Sequence, residues 1–342
     1  MILVCLFGVA EYSREALACS AVSGERLWGA NYDWQPQEGI AFQSPGRQMK
    51  RAFMAGPRAV AWVSRFSSIT ISQFGRDFPM QGMNERGLAG VVLMGKAEYP
   101  TSGKIGNVTE NLWLQYQLDH YASVAEVAEH IDDLGIQRLS APLHWFLCDA
   151  SGVCGVFEFV NGKPRVRHGR DLEMAVLTNN PYADSLARWN AWRVSGSELP
   201  EGYESFARFI RLVEASLFPG FGRDADSVTA ALVDVSHRVK TAWQTVFDSR
   251  EVSLSVRAGT GARPEQVWRR LDARKDAVPD CGEPLMMLPL AGTSEWKPYD
   301  HDAVRALFER AARGTTGLGG EAMDAILRET ETVNCDFPDK IR

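Results

Sequence analysis

Strand-like and helix-like hydrophobic patterns occupy separate blocks of this chain. "SAVSGERLWGANYDW" (20–34) sets two short arms around Gly-Glu-Arg and reads as a hairpin. "AVAWVSRFSSITISQF" (59–74) is dense in β-branched and aromatic residues and predicts strand, and "MQGMNERGLAGVVLM" (80–94) predicts two strands around a turn at Asn84 to Gly87. "LHWFLCDASGVCGVFEFVNGKPRVRH" (143–168) predicts three strands, separated by Asp-Ala-Ser-Gly and Asn-Gly turns. Stretches 173–179 and 242–259 add further strand pattern. Apolar residues shift to helical spacing in 110–135, which predicts two helices, and again in 181–195, 203–217, 226–238 and 301–313. Gly, Pro and charge thicken between 259 and 300, which predicts long surface connections. Strand blocks built from hairpins, with helices inserted between them, predict a layered α+β fold rather than a parallel βαβ array. No internal repeat or domain boundary interrupts the pattern, so residues 19–342 read as one domain.

Composition narrows the functional classes. At 342 residues, 45% hydrophobic and 23% charged, the chain is ordinary for a globular protein. A net charge of -6 and a pI near 5.6 supply no basic surface for nucleic acid or an anionic membrane. No apolar run reaches the roughly 18 residues that span a bilayer. Six cysteines without a C-x-x-C pair and six histidines in no ligand motif predict neither a metal nor a cofactor. The expected partner is a small molecule, and a homo-oligomer is compatible with the composition.

One cysteine has an unusual context. Cys19 follows "ALA", the small-x-small form accepted by signal peptidase, after the apolar stretch "ILVCLFGVA". Residues 1–18 therefore read as a signal or pro-segment removed by signal peptidase or by self-processing. The other reading is an N-terminal strand that stays attached, because no Lys or Arg precedes the apolar stretch and Glu11, Arg14 and Glu15 precede the cleavage point. Removal places the mature chain in the periplasm or outside the cell; retention leaves it cytoplasmic.

A cysteine freed at residue 19 gains an α-amino group with a pKa near 8, a general base that needs no histidine. The amine takes the thiol proton, and the thiolate attacks an amide carbonyl. The hairpin decides whether a carboxylate can serve that amine. A three-residue loop at Gly24-Glu25-Arg26 puts Cys19 opposite Asn31 and on one face with Asp33. A two-residue turn at Ser23-Gly24 puts Cys19 opposite Trp28, with Asp33 out of reach.

Several segments together resemble the choloylglycine hydrolase family, or linear amide C–N hydrolases, which includes bile salt hydrolases and penicillin V acylases. They are "GANYDW" (29–34), "GMNERGLAG" (82–90), "LHWFLCDASGVCGVFEFVNGKPRV" (143–166), "VLTNNP" (176–181) and "ARFIR" (207–211), in an order that covers about residues 18 to 250. The resemblance implies a four-layer αββα sandwich of N-terminal nucleophile type, and hydrolysis of a linear, non-peptide amide. A bile salt, penicillin V or an N-acyl homoserine lactone would be the type of substrate. It implies Cys19 as nucleophile and Asp33 as the group that orients its amine. Asn84 would position the amine or help bind the oxyanion, Asn179 would donate to the oxyanion, and Arg208 would stabilise the thiolate and its neighbouring carboxylate. Trp34 would line the substrate cleft.

This chain departs from the family at Ala30, where the family has Arg, and in a shorter hairpin between Cys19 and Asp33. The alternative function is therefore a catalytically impaired relative that binds acyl ligands. Cys5 is a weaker nucleophile candidate, without a small-residue cleavage site before it. Cys148 and Cys154 face each other across a turn and are expected to remain two buried thiols. His144 and Trp145 are expected to pack in the sheet, and the glycine-rich "GTTGLGG" (314–320) lacks the Lys-Ser/Thr of a phosphate loop.

Overall fold

The computed structural model describes residues 19–259, 267–276, 284–292, 295–313, 318–331 and 335. Residues 1–18, read above as a leader and including Cys5, lie outside them. Two antiparallel sheets form its centre. The first has six strands in the order Val176–Leu177, Ser20–Ser23, Trp28–Asp33, Thr241–Asp248, Ser253–Ala258 and Arg269–Asp272. The second has nine: Lys163–His168, Cys154–Val160, Leu143–Cys148, Ala89–Met94, Gln81–Asn84, Ser68–Ser72, Ile40–Ser44, Met286–Pro289 and Lys297–Pro298.

The sheets pack face to face. Trp28 meets Phe146 across the interface with ring centroids 5.7 Å apart, and the Thr245 hydroxyl donates to Gln81 Oε1 at 2.6 Å. Helices Ser205–Ser216 and Ala225–Asp234 cover the outside of the first sheet, and Glu110–His120 covers the second. That is the αββα order. Glycines let the helices approach: a Cβ at Gly29 would sit 2.7 Å from Val228, and one at Gly90 would sit 2.6 Å from Leu114. With both faces covered, central strands such as Trp28–Asp33 and Ser68–Ser72 are buried at every position.

The strand and helix pattern of 80–94, 143–168 and 181–238 lies where the sequence predicts it. The stretch 59–74 divides into two strands, Ala61–Val63 and Ser68–Ser72. The region 259–300 corrects the expectation of surface connections. Its short strands Arg269–Asp272, Met286–Pro289 and Lys297–Pro298 extend the edges of the two sheets, where pairing partners rather than local composition fix the conformation. Cys148 and Cys154 also differ from expectation: they are directly paired across adjacent strands and joined as a disulfide. Among the described residues Cys19 is the free cysteine, and Cys335 is disulfide-bonded. Two C-terminal helices, His301–Ala311 and Glu321–Glu331, pack on each other beside Phe74, whose ring meets Phe308 edge-on at 5.3 Å. Among the described residues no helix is long and apolar enough to cross a membrane.

Candidate active site

The hairpin that carries Cys19 has neither anticipated register. Ser23 pairs with Trp28, Val22 with Gly29, Ala21 with Ala30 and Ser20 with Asn31, so the loop is the four residues Gly24 to Leu27. Three loop amides donate outward, Glu25 to Phe221 O and both Arg26 and Leu27 to Gly222 O. The loop is therefore shaped by a distant segment. Extending the register sets Cys19 beside Tyr32, and both line one cavity. Asn31 points the other way, donating its amide to Leu232 O in the helix layer. Cys19 does not share a face with the Asn31 and Asp33 side chains. Its Sγ lies over the Asp33 peptide instead, accepting from Asp33 N–H at 3.5 Å and lying 3.9 Å from Asp33 O.

Asp33 is the unusual group. Its side chain is fully buried, and neither carboxylate oxygen meets a donor in good hydrogen-bond geometry among the described residues, with the Thr241 hydroxyl its nearest polar neighbour by effect. Burial raises its carboxyl to about 6, against the pull of the Thr241 side chain and the charges of Arg208 and Lys240. The same burial, with the Asp33 charge, raises the Cys19 thiol to about 12, while the Asp33 backbone, the Arg208 charge and the Met94 backbone draw it down. At neutral pH this thiol keeps its proton unless a nearby base removes it.

Arg208, on the helix Ser205–Ser216, is wholly buried and ties the site together. Its Nη1 donates to Cys19 O at 2.6 Å and Ser20 Oγ at 2.7 Å, its Nη2 to Asn179 Oδ1 at 2.7 Å, and its Nε to Tyr203 O at 3.0 Å. Desolvation lowers its guanidinium to about 10, which leaves it charged at neutral pH. The bond to Oδ1 fixes the Asn179 amide with its NH2 group turned toward the second sheet, where one hydrogen bonds Met94 O at 2.7 Å.

Asn84 does not join this group. Both of its amide hydrogens are committed, to Leu118 O and Tyr121 O, each at 2.8 Å, and its Oδ1 accepts from Arg86 and Leu88 N–H. With no free donor or acceptor direction left, it locks a hairpin turn to the end of the helix Glu110–His120. The residue that the same hairpin does bring to the cysteine is Met94. On the edge toward Gln81–Asn84, the ladder ends at Val92 N–H bonded to Met80 O, so the Met94 amide, two residues on, lies past the last rung. Sequence pattern held no sign of Met94, because the contribution comes from its backbone.

Trp34 lines the cavity beside Cys19 and donates its Nε1 to Ala311 O at 2.8 Å. The cavity beside Sγ is narrow, about 40 Å³, and mostly apolar; Phe74, Met80, Val92, Leu143 and Leu318 form much of its wall. Tyr32, Asn111 and Ser140 also line it, and none of the three was singled out by the sequence. Ala30 is buried between Ala21 and Thr245 on the neighbouring strands, and the cation whose charge reaches the cysteine is Arg208. Among the described residues no group of three or more His, Cys, Asp or Glu side chains could hold a metal ion.

Residues 16–211 match the family described as linear amide C-N hydrolases, choloylglycine hydrolase family. A penicillin V acylase of Pectobacterium atrosepticum is 27% identical over 269 residues, 65% of this chain and 70% of that protein. Among solved structures, penicillin V acylase from Agrobacterium tumefaciens superposes with a TM-score of 0.66 at 24% identity, covering 79% of this chain and 91% of the other. A mutant of conjugated bile acid hydrolase from Clostridium perfringens gives 0.61 at 18% identity, covering 82% and 96%. These two likenesses concern the fold.

Proposed function

The chain belongs to the linear amide C–N hydrolases of the choloylglycine hydrolase family, and on that footing we propose that it works through an N-terminal cysteine exposed by removal of residues 1–18. It is an amidohydrolase acting on a small molecule. The observation that carries the cysteine reading is the Asp33 carboxylate, buried beside Cys19 without a donor in good hydrogen-bond geometry among the described residues. A buried anion of this kind is stabilised when a cation pairs with it. The charges of Arg208 and Lys240 act on it from a distance; the α-ammonium group of a freed Cys19 is the cation that would pair with it directly, while the sulfur stays above the Asp33 peptide.

The proton inventory then closes within the site. The neutral α-amine takes the thiol proton, and Sγ attacks the amide carbon. The negative oxygen accepts from the Met94 amide and from the second hydrogen of the Asn179 amide. Arg208 keeps that amide aimed through Oδ1 and holds the Cys19 carbonyl. The ammonium returns its proton to the leaving nitrogen as the C–N bond breaks, which leaves a thioester on Cys19. Water, deprotonated by the same amine, then releases the acid. Arg208 supplies one positive charge beside the cysteine; the impaired-relative reading rests on Ala30, where the family has a second arginine, and turnover by the processed chain decides between the two.

The apolar wall of the cavity suits an apolar acyl group, and assay against a bile salt, penicillin V and an N-acyl homoserine lactone selects among the substrate types. The cystine Cys148–Cys154 supports maturation in an oxidising compartment, in the periplasm or outside the cell. Intact-mass measurement of the active protein tests the reading: the chain is expected to begin at Cys19. Cys19→Ser should abolish turnover, because the hydroxyl proton is far harder to remove than that of a thiol. An active protein that retains Met1 would overturn the mechanism, since an internal Cys19 has no amine.

A further inference from the structure

Two amide- and hydroxyl-bearing side chains interrupt the apolar wall of the cavity beside Cys19. Asn111 is the second residue of the helix Glu110–His120, and Ser140 lies in the loop before the strand Leu143–Cys148. Ser140 is held by Glu110, a fully buried side chain at the start of the helix, and Asn111 is held through Ser140. One Glu110 oxygen accepts from Leu139 N–H at 2.7 Å; the other accepts from Ser140 N–H at 2.6 Å and from the Ser140 hydroxyl at 2.9 Å.

These bonds dictate how Asn111 is oriented. The single hydroxyl hydrogen of Ser140 goes to Glu110, so Ser140 Oγ can only accept. Asn111 must therefore turn its Nδ2 toward Oγ, 3.2 Å away. Its Oδ1 and its second Nδ2 hydrogen have no partner among the described residues, although the side chain is only 3% exposed. An aligned donor and acceptor thus sit on the wall of an apolar cavity, oriented by a buried relay that also fastens residues 139 and 140 to the helix. Trp34 does not compete for this part, because its Nε1 is committed to Ala311 O.

We propose that Asn111 is a hydrogen-bonding subsite for an oxygen carried on the acyl group of the substrate, so that oxygen-bearing acyl amides are preferred over their all-carbon counterparts. An ether or keto oxygen accepts from the free Nδ2 hydrogen, and a hydroxyl also donates to Oδ1. The assignment rests on the reading that this cavity holds the acyl group cleaved by Cys19. Glu110 and Ser140 are positioning residues within it.

A matched pair of substrates reads the subsite directly: N-(phenoxyacetyl)glycine and N-(3-phenylpropanoyl)glycine, which differ by one ether oxygen in place of a methylene. The processed wild-type enzyme is expected to favour the ether by about tenfold in kcat/KM, the discrimination one net hydrogen bond supplies. Asn111→Leu should bring the ratio near one. Ser140→Ala, a smaller change that releases the amide from its fixed orientation, should lower the ratio part of the way. A wild-type ratio near one, or a ratio unmoved by Asn111→Leu, overturns the proposal while turnover of both substrates leaves the Cys19 mechanism standing. The two free acids, titrated into the Cys19→Ala protein, give the same comparison without catalysis. There, tighter binding of phenoxyacetate that Asn111→Leu removes supports the subsite even if neither amide is hydrolysed, and equal or absent binding sinks it.

Discussion

Two clusters of charge are buried in this molecule, and they differ in how completely they are paired. In the first, Lys50 Nζ lies 3.0 Å from both Asp77 and Asp119 and donates to Ser44 Oγ at 2.7 Å. Asp119 also accepts from Trp62 Nε1 at 2.7 Å, and Arg76 joins Asp77 at 2.8 Å and Gln48 at 2.9 Å. Two cations meet two carboxylates, and the remaining lone pairs are hydrogen-bonded. In the second cluster, the bonds that Arg208 sends to Tyr203, Cys19, Ser20 and Asn179 all end on neutral oxygens, while the Asp33 carboxylate meets no donor in good hydrogen-bond geometry among the described residues. A closed cluster holds segments together. An open one has a place for a group that arrives later.

The sharpest way to break this comparison is to neutralise each cluster in turn. Asp33→Asn keeps the shape and removes the charge. It should reduce kcat/KM on the order of a thousandfold, because the amine loses the group that orients it. The melting temperature of the processed chain should fall, since the buried α-ammonium loses its partner. Full activity in that variant would remove Asp33 from the mechanism. Lys50→Met should do the reverse. It leaves Asp119 buried without a cation and Asp77 with Arg76 alone, and should lower stability by about 3–5 kcal/mol, measured by denaturant unfolding. Activity per folded molecule should be unchanged, and a variant that is stable but inactive would show that the two clusters are not separate in role.

The oxyanion site gives the next effect in size. Asn179→Ala removes one amide donor and frees the Arg208 fork that aimed it. A loss of roughly a hundredfold in kcat, with KM little changed, is expected. Turnover equal to wild type would leave the Met94 amide as the sole donor of the pair.

What the sequence made legible, and what it did not, follows the range of the forces involved. Alternation and helical spacing are local, and they located 80–94, 143–168 and the helices of 181–238. Cys19 came from the small-residue context before it and Asp33 from its place in the hairpin, Asn179 and Arg208 came from a family likeness, and the fold gathers the four around one strand end. The hairpin register was not legible because its loop is set by Phe221 and Gly222, about two hundred residues away. Asn84 misled because "GMNERG" carries a polar side chain at a turn, and only the structure shows that its four hydrogen-bonding directions are used locally. Met94 was invisible because a free backbone amide leaves no residue signature. The Lys50 cluster joins three separate segments, each of which reads as an ordinary polar stretch. The edge strands at 269–272 and 286–289 are similar: they depend on a partner strand that composition does not reveal.

The smallest expected effect separates the processed chain from the unprocessed one. With Cys19 internal, burial raises Asp33 to about 6, whereas its ordinary value is 3.8. Between these values the folded state binds a proton that the unfolded state has released. Stability is therefore fullest below pH about 4 and falls as the pH rises through about 6, by at most about 3 kcal/mol for a shift of this size. Once Cys19 is the first residue, its ammonium pairs with the carboxylate, and the reason for that proton uptake disappears. Thermal unfolding from pH 4 to 7 should therefore show a falling contribution in a chain with one residue added before Cys19. That contribution should be absent from the processed chain, and from the extended chain carrying Asp33→Asn. The extended chain should also be nearly inactive at every pH, because its amine no longer reaches the sulfur. Equal slopes in the extended and processed chains would mean that the α-amine is not the partner of Asp33, and the contrast between the open and the closed cluster would then need another cation to explain it.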